Sequence, residues 1–241
     1  TSVTNGLTIG SYTIDKELGL GGMGAVYLAT RTDGKFNQQV ALKLLRREFS
    51  VGSGREAFQR EIDIQSSLVH PNIARILDTG TTDDGIPYIA MEYVEGEPVD
   101  LYCFRRNLSL RDRLKLFNKA CEGVAFAHSN LVIHRDIKPA NIIVTAEGLP
   151  KLIDFGISKL ADSDANAHTL FGAMTPEYAS PEQISGKAVS TATDIFSLAV
   201  VLYKLTAGTL PLDVSANNGA DAKTIICETE PRLPSSATTE R

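Results

Sequence analysis

No surplus of basic charge, no cysteine pairing and no apolar run of membrane length mark this 241-residue chain. Each absence removes a class of function. Lysine and arginine number 24 against 29 aspartate and glutamate, a net charge of −5, so there is no positive field to hold a nucleic acid. Cys103, Cys121 and Cys227 are odd in number, far apart and without a Cys-x-x-Cys spacing. That pattern argues for reduced thiols and against both a disulfide framework and a zinc site. The longest apolar stretch, Ile195 to Tyr203, falls far short of the ~20 residues that cross a bilayer. Thr1-Ser2-Val3-Thr4-Asn5-Gly6 has neither the basic region nor the apolar core of a secretory leader. A cytoplasmic location is the resulting expectation. Hydrophobic residues at 43% and charged residues at 22% are ordinary globular values, and the length suits one domain with a sizeable core.

What is present is concentrated in a few short motifs. His134-Arg135-Asp136-Ile137-Lys138-Pro139-Ala140-Asn141 gathers polar groups between two apolar runs, Leu131-Val132-Ile133 and Ile142-Ile143-Val144. Short strands on either side would present the tip of a polar hairpin to one cleft. An isolated Asp or Asn in a turn is ordinarily a cap or an Asx-turn; several polar residues in one loop argue for chemistry. Upstream, Gly19-Leu20-Gly21-Gly22-Met23-Gly24 has a glycine spacing that fits three kinds of phosphate loop. A dinucleotide site needs a helix directly after it, yet the β-prone run Val26-Tyr27-Leu28-Ala29 follows. A Walker loop needs Gly-Lys-Ser/Thr, and Ala25 follows Gly24. Strand, glycine turn, strand is the arrangement left, with an ordinary glycine-rich hairpin as the plain alternative. Lys43 lies within the apolar run Val40-Ala41-Leu42, an expensive place for a charge without a partner.

These motifs, with Asp154-Phe155-Gly156 and Pro181-Glu182 in the same order downstream, resemble those of protein kinases, in the bacterial eukaryotic-like serine/threonine form. The resemblance implies an α+β, bilobal fold. Residues 1–10 would be an N-terminal extension, 11–94 a small antiparallel-sheet lobe and 95–241 a mainly helical large lobe. It also implies transfer of the γ-phosphoryl group of ATP to serine or threonine hydroxyls of protein substrates. Asp136 would orient the substrate hydroxyl and take its proton, and Lys138 would bring positive charge to the moving phosphoryl group. Asn141 and Asp154 would hold Mg²⁺, with Mn²⁺ as an alternative. Lys43 would pair with Glu61 and hold the α- and β-phosphates. Leu18, Gly19, Gly21, Gly24, Val26, Ala41, Met91, Glu92, Val94 and Ile143 would surround the nucleotide, with Met91 as gatekeeper and backbone groups of Glu92 and Val94 on the adenine edge.

Helical periodicity predicts a helix over 55–69 with Phe58, Ile62 and Leu68 on its apolar face. It predicts a longer one before the catalytic loop, capped at Ser109 and burying Leu110, Leu114, Phe117, Cys121 and Val124. A third runs from Asp194 to Leu205 and closes at Gly208. Lys138 favours serine/threonine over tyrosine kinases. Thr175, three residues before Tyr178, corresponds to the threonine that seats the residue after the phosphoacceptor. Arg135 next to the base points to activation by phosphorylation of Ser158, Ser163 or, by its placement, Thr169.

Two departures stand out. Gln65, one turn after Glu61, replaces an apolar residue and needs a hydrogen-bond partner. After Gly208 only a short helix near 222–228 precedes the polar stretch 231–241, and no arginine is placed to neutralise Glu182. The expectation is therefore a longer protein, whose further segments could tether it to a membrane. An ATP-binding scaffold without catalysis and a small-molecule kinase are the alternatives. Intact Lys43, Glu61, Asp136, Asn141 and Asp154 speak against the first, and Thr175 with Pro181-Glu182 against the second.

Overall fold

The computed structural model describes residues 6–21, 24–34, 37–45, 54–155, 175–214 and 219–237. These form two compact units. One comprises the described residues up to Val69 together with Ala74–Val94; the other comprises His70–Ile73 with the described residues from Glu95 onward.

The first unit is a six-stranded sheet and one helix. Strands β1 (Thr8–Ile9), β2 (Tyr12–Gly21), β3 (Gly24–Arg31), β4 (Gln39–Leu45), β5 (Ile76–Thr81) and β6 (Pro87–Glu92) take the order β1-β2-β3-β4-β6-β5. Every pairing is antiparallel. Side chains alternate between faces along a strand. Tyr12, Ile14, Tyr27, Ala29, Val40, Leu42, Tyr88 and Ala90 thus make one buried cluster. The other face of β3, β4 and β6 carries Val26, Ala41, Lys43, Ile89 and Met91. On it, Leu45 and Ile89 pack with Ile62 of helix α1 (Gly54–Ser66).

The glycine motif lies where two paired strands turn. Gly19 is paired with Val26, Leu20 with Ala25 and Gly21 with Gly24; Gly22 and Met23 lie outside the described residues. Gly24 has φ +139°, and a Cβ there would stand 1.9 Å from the carbonyl oxygen of Leu44. Alanine at 24 is expected to destabilise the β3–β4 pairing by about 1–3 kcal/mol, read as a fall in the urea midpoint.

Helix α1 ends at Ser66 rather than at 69. Ser66 and Ser67 turn their hydroxyls back on the carbonyls of Asp63 and Ile64. They thereby satisfy the last acceptors of the helix and compete with its continuation. Leu68 is buried as expected, but from the turn that follows. The side chain of Phe58 lies outside the described residues.

The second unit is mainly helical. In chain order it contains β7 (Gly96–Pro98), α2 (Val99–Arg105), α3 (Leu110–Ser129), β8 (Ile142–Thr145), β9 (Pro150–Leu152), α4 (Pro181–Ile184), α5 (Thr191–Ala207), α6 (Gly219–Glu228) and α7 (Pro234–Ala237). A small antiparallel sheet, β7-β8-β9, carries Ile142–Thr145. The other apolar run flanking the polar loop is no strand. Leu131 has φ +62° and is 93% exposed, so the chain from Leu131 to Ile133 is a turn and an extended link. Strand propensity had no ladder partner there to act on.

Helix α3 is capped at Ser109, whose hydroxyl accepts the Asp112 N–H. Its buried face is rotated from the expected one. Leu116, Ala120, Gly123, Val124 and Ala127 are buried, whereas Leu110 and Leu114 are exposed. The reason is close approach: a Cβ on Gly123 would lie 3.0 Å from both the Asn72 carbonyl oxygen and Leu152 Cδ1. Small residues, not the largest apolar ones, define the seam. Helix α5 ends at Gly208 with φ +81°, the left-handed stop that glycine suits. Within the polar stretch, Pro234–Ala237 form a short helix.

Candidate active site

The loop between α3 and β8 is shaped by buried partners that none of its own residues would suggest. Asp194, in the first turn of α5, is fully buried. Its Oδ2 accepts the backbone N–H of His134 at 2.8 Å and His128 Nε2 at 2.7 Å; its Oδ1 accepts the backbone N–H of Arg135 at 2.8 Å. Burial pushes this carboxyl upward, but the His128 hydrogen bond and the two backbone donors outweigh it and hold its pKa below the ordinary value. Arg135 has φ +65°, a strained conformation for a residue that carries a Cβ. The strain is held from both sides, because the Gln183 amide donates to the Arg135 carbonyl at 2.8 Å. The other end of Gln183 closes a capping box with Ser180 at the start of α4.

His134 is buried and stacked on Phe155, ring centroids 4.3 Å apart. Its Nδ1 accepts the backbone N–H of Asp136, and its Nε2 lies 3.2 Å from the Ile153 carbonyl. Those partners fit the neutral Nε2–H tautomer. The ring thus couples the conformation of Asp136 to the segment leading to Asp154, which itself has φ +59°.

On this frame three of the expected residues come together. Asp136 Oδ2 accepts from Asn141 Nδ2 at 2.9 Å and pairs with Lys138 Nζ at 2.9 Å. The Asn141 amide also donates to the Asp136 carbonyl at 2.8 Å. With the NH₂ end committed to Asp136, the amide oxygen of Asn141 is the end directed elsewhere. Lys138 reaches on to Thr175 Oγ1 at 3.2 Å, so the threonine picked out from the sequence touches the same cluster. Asp154 follows β9 and is half-buried; Ile143 sits on β8, half-buried.

In the first unit, Lys43 is 6% exposed and stands opposite Val26 on one side and Ile89 on the other. Ala41 is opposite Met91. Leu18, on β2, is 42% exposed. Val94 and Glu92 are half-buried where β6 ends. The Glu92 N–H donates to the Arg75 carbonyl at 2.8 Å. Gln65, 5% exposed, finds its partner within its own helix, donating to Glu61 Oε1 at 3.4 Å. The amide that looked misplaced is a neighbour of the expected ion-pair acid.

Glu182 is half-buried and accepts from the Thr193 hydroxyl. Burial raises its pKa, but that bond and local donors bring it below the ordinary value. Among the described residues, then, its partner is a hydroxyl and not an arginine. Ser158, Ser163 and Thr169 lie outside the described residues. Asp194, His128 and Gln183 had not been singled out for any role at this loop. Asp194 carried a legible signal, an acid at the head of the apolar run from Ile195; His128 and Gln183 carried none.

The protein kinase domain family matches residues 12–239. Serine/threonine-protein kinase PrkC of Bacillus subtilis is 39% identical over 208 residues, 85% of this chain and 31% of that protein. Serine/threonine-protein kinase PknB of Mycobacterium leprae is 37% identical over 206 residues, 83% of this chain and 33% of that protein. The chain thus spans about a third of the length of these curated relatives. The crystal structure of the Mycobacterium tuberculosis PknI kinase domain aligns with a TM-score of 0.71 and 29% identity, over 98% of this chain and 84% of that one.

Proposed function

Because the chain belongs to the protein kinase domain family, we propose that it transfers the γ-phosphoryl group of ATP to serine or threonine hydroxyls of proteins. One observation carries the reading: the Asp136 carboxylate is held by an ammonium and an amide, each at 2.9 Å. A carboxylate so oriented can align a substrate hydroxyl and accept its proton as the phosphoryl group leaves ATP. Lys138, already within reach of that carboxylate, supplies positive charge where negative charge is transferred. Thr175 on the Lys138 ammonium supports a peptide-seating segment continuous with the catalytic loop.

The nucleotide roles follow the same residues. Lys43 holds phosphate oxygens, with Glu61 as its acid. The backbone around Gly19, Gly21 and Gly24 covers the phosphates, and Leu18, Val26, Ala41, Met91 and Ile143 meet the adenine ring. On the ring's edge, backbone groups of Glu92 and Val94 are the hydrogen-bonding groups. The oxygen of Asn141 and the carboxylate of Asp154 fit a hard divalent ion that keeps most of its waters. Mg²⁺ bound there would neutralise phosphate charge, and Mn²⁺ suits the same donors. Among the described residues no helix is long and apolar enough to cross a membrane, and no cluster of three or more His, Cys, Asp or Glu is placed to hold a metal.

The test is transfer of labelled phosphate from Mg-ATP to a generic protein substrate, followed by phosphoamino-acid analysis. Label in phosphoserine or phosphothreonine is expected; label in phosphotyrosine alone, or none, sinks the reading. Activation by the chain's own phosphorylation is a second expected outcome. Mass spectrometry after incubation with Mg-ATP should find phosphate between 157 and 175, foremost on Thr169. An unmodified segment in an active chain removes that part.

A further inference from the structure

The peptide-seating segment meets a cation from α5 that the transfer chemistry does not use. Thr175 is tied through Lys138 to Asp136, so the residues directly after it lie beside the reacting centre. Tyr178 ends a single 3-10 turn there (Pro176–Tyr178). Its carbonyl accepts Ser197 Oγ at 2.7 Å and its hydroxyl accepts Lys204 Nζ at 3.2 Å, both from α5. Lys204 also donates to Asp100 Oδ2 in α2 at 2.8 Å. The lysine interrupts an otherwise apolar stretch, Val200 to Leu205, and its side chain is 30% exposed. A charge in such surroundings is costly unless it is used.

Among the described residues those two bonds take two of the ammonium's three donors. The second oxygen of Asp100 is occupied as well, accepting the Leu101 N–H at 2.9 Å. Burial works against the charged lysine, but Asp100 and Tyr178 outweigh it and raise its pKa, so the ammonium is charged at neutral pH. Its long side chain is already fixed, which removes most of the entropic cost of meeting an anion.

We propose that Lys204 forms an anion-reading subsite beside Tyr178, selecting protein substrates with a carboxylate or phosphate side chain near the phosphoacceptor. This rests on the kinase reading above. Asp100 tunes the subsite by competing for the same ammonium.

The experiment compares peptides with one central serine that differ only by glutamate, phosphoserine, glutamine or lysine placed in turn at each flanking position. The parent chain is expected to favour glutamate or phosphoserine over lysine at one position by about tenfold in kcat/KM. Preference in both anionic arms assigns a general anion site; preference in one assigns carboxylate or phosphate alone. Lys204→Met should bring the ratio close to one, Lys204→Arg should keep it, and Asp100→Asn should increase it. A parent ratio near one, or a ratio unmoved in a folded Lys204→Met, overturns the proposal. If Lys204→Met does not fold, Asp100→Asn decides alone. A chain that phosphorylates no peptide sinks only the kinase reading, because fluorescence anisotropy of the same labelled peptides still reads the preference by the same criteria.

Discussion

Changing Asp136 to asparagine is expected to lower kcat for phosphoryl transfer by about 10²–10⁴-fold, with little change in the KM for ATP. Asparagine is nearly the same size and can still accept from the Asn141 amide, so the loop retains most of its geometry. It cannot take a proton, and it leaves the Lys138 ammonium without the carboxylate it meets at 2.9 Å. A loss confined to kcat marks an interaction made in the transition state. Undiminished incorporation of label by the variant would remove Asp136 as the base. A urea midpoint close to that of the parent chain is the accompanying expectation, separating lost chemistry from lost folding.

Asp194→Ala should be the most damaging change to the architecture, destabilising the protein by about 3–5 kcal/mol. It strands three donors, the N–H groups of His134 and Arg135 and the His128 ring, around a position that is itself fully buried. A domain's whole stability is about 5–15 kcal/mol, so the alanine variant is expected to unfold at much lower urea. Asp194→Asn keeps acceptor oxygen for part of the set and should fall between. The pH dependence has a definite sign. The Asp194 pKa is lowered in the folded state, so its contribution is complete above the ordinary carboxylate pKa of about 3.9 and is lost as pH falls through the folded value. The stability gap between the parent chain and Asp194→Asn should therefore be constant near neutrality and narrow in acid. A gap independent of pH down to acid unfolding would mean that the charge on Asp194 contributes nothing.

The site was far more legible than the packing around it. The Asp136, Lys138 and Asn141 cluster was legible because charge and donor type belong to the residues themselves, and the spacing of such residues survives in a linear string. The α3 seam could not. Hydrophobicity ranks Leu110 and Leu114 above Gly123 and Ala120, yet backbone approach at Asn72 and Leu152 rewards the absence of a side chain. The run from Leu131 to Ile133 reads as a strand by residue type, and only the lack of a pairing neighbour makes it a link. Gln65 stands where an apolar residue is expected, and only the fold shows its amide donating to Glu61.

Chemical identity and local punctuation were thus determined by residue order alone: the glycine turn, the Ser109 cap, the stop at Gly208 and the polar loop before β8. Each depends on atoms within a few residues of one another. Folding in three dimensions decided how that loop is held, through an aspartate about sixty residues further along the chain and an amide from α4. Long-range hydrogen bonds to a buried carboxylate leave no periodic trace, because their energy depends on desolvation and direction, and neither is written in composition or spacing.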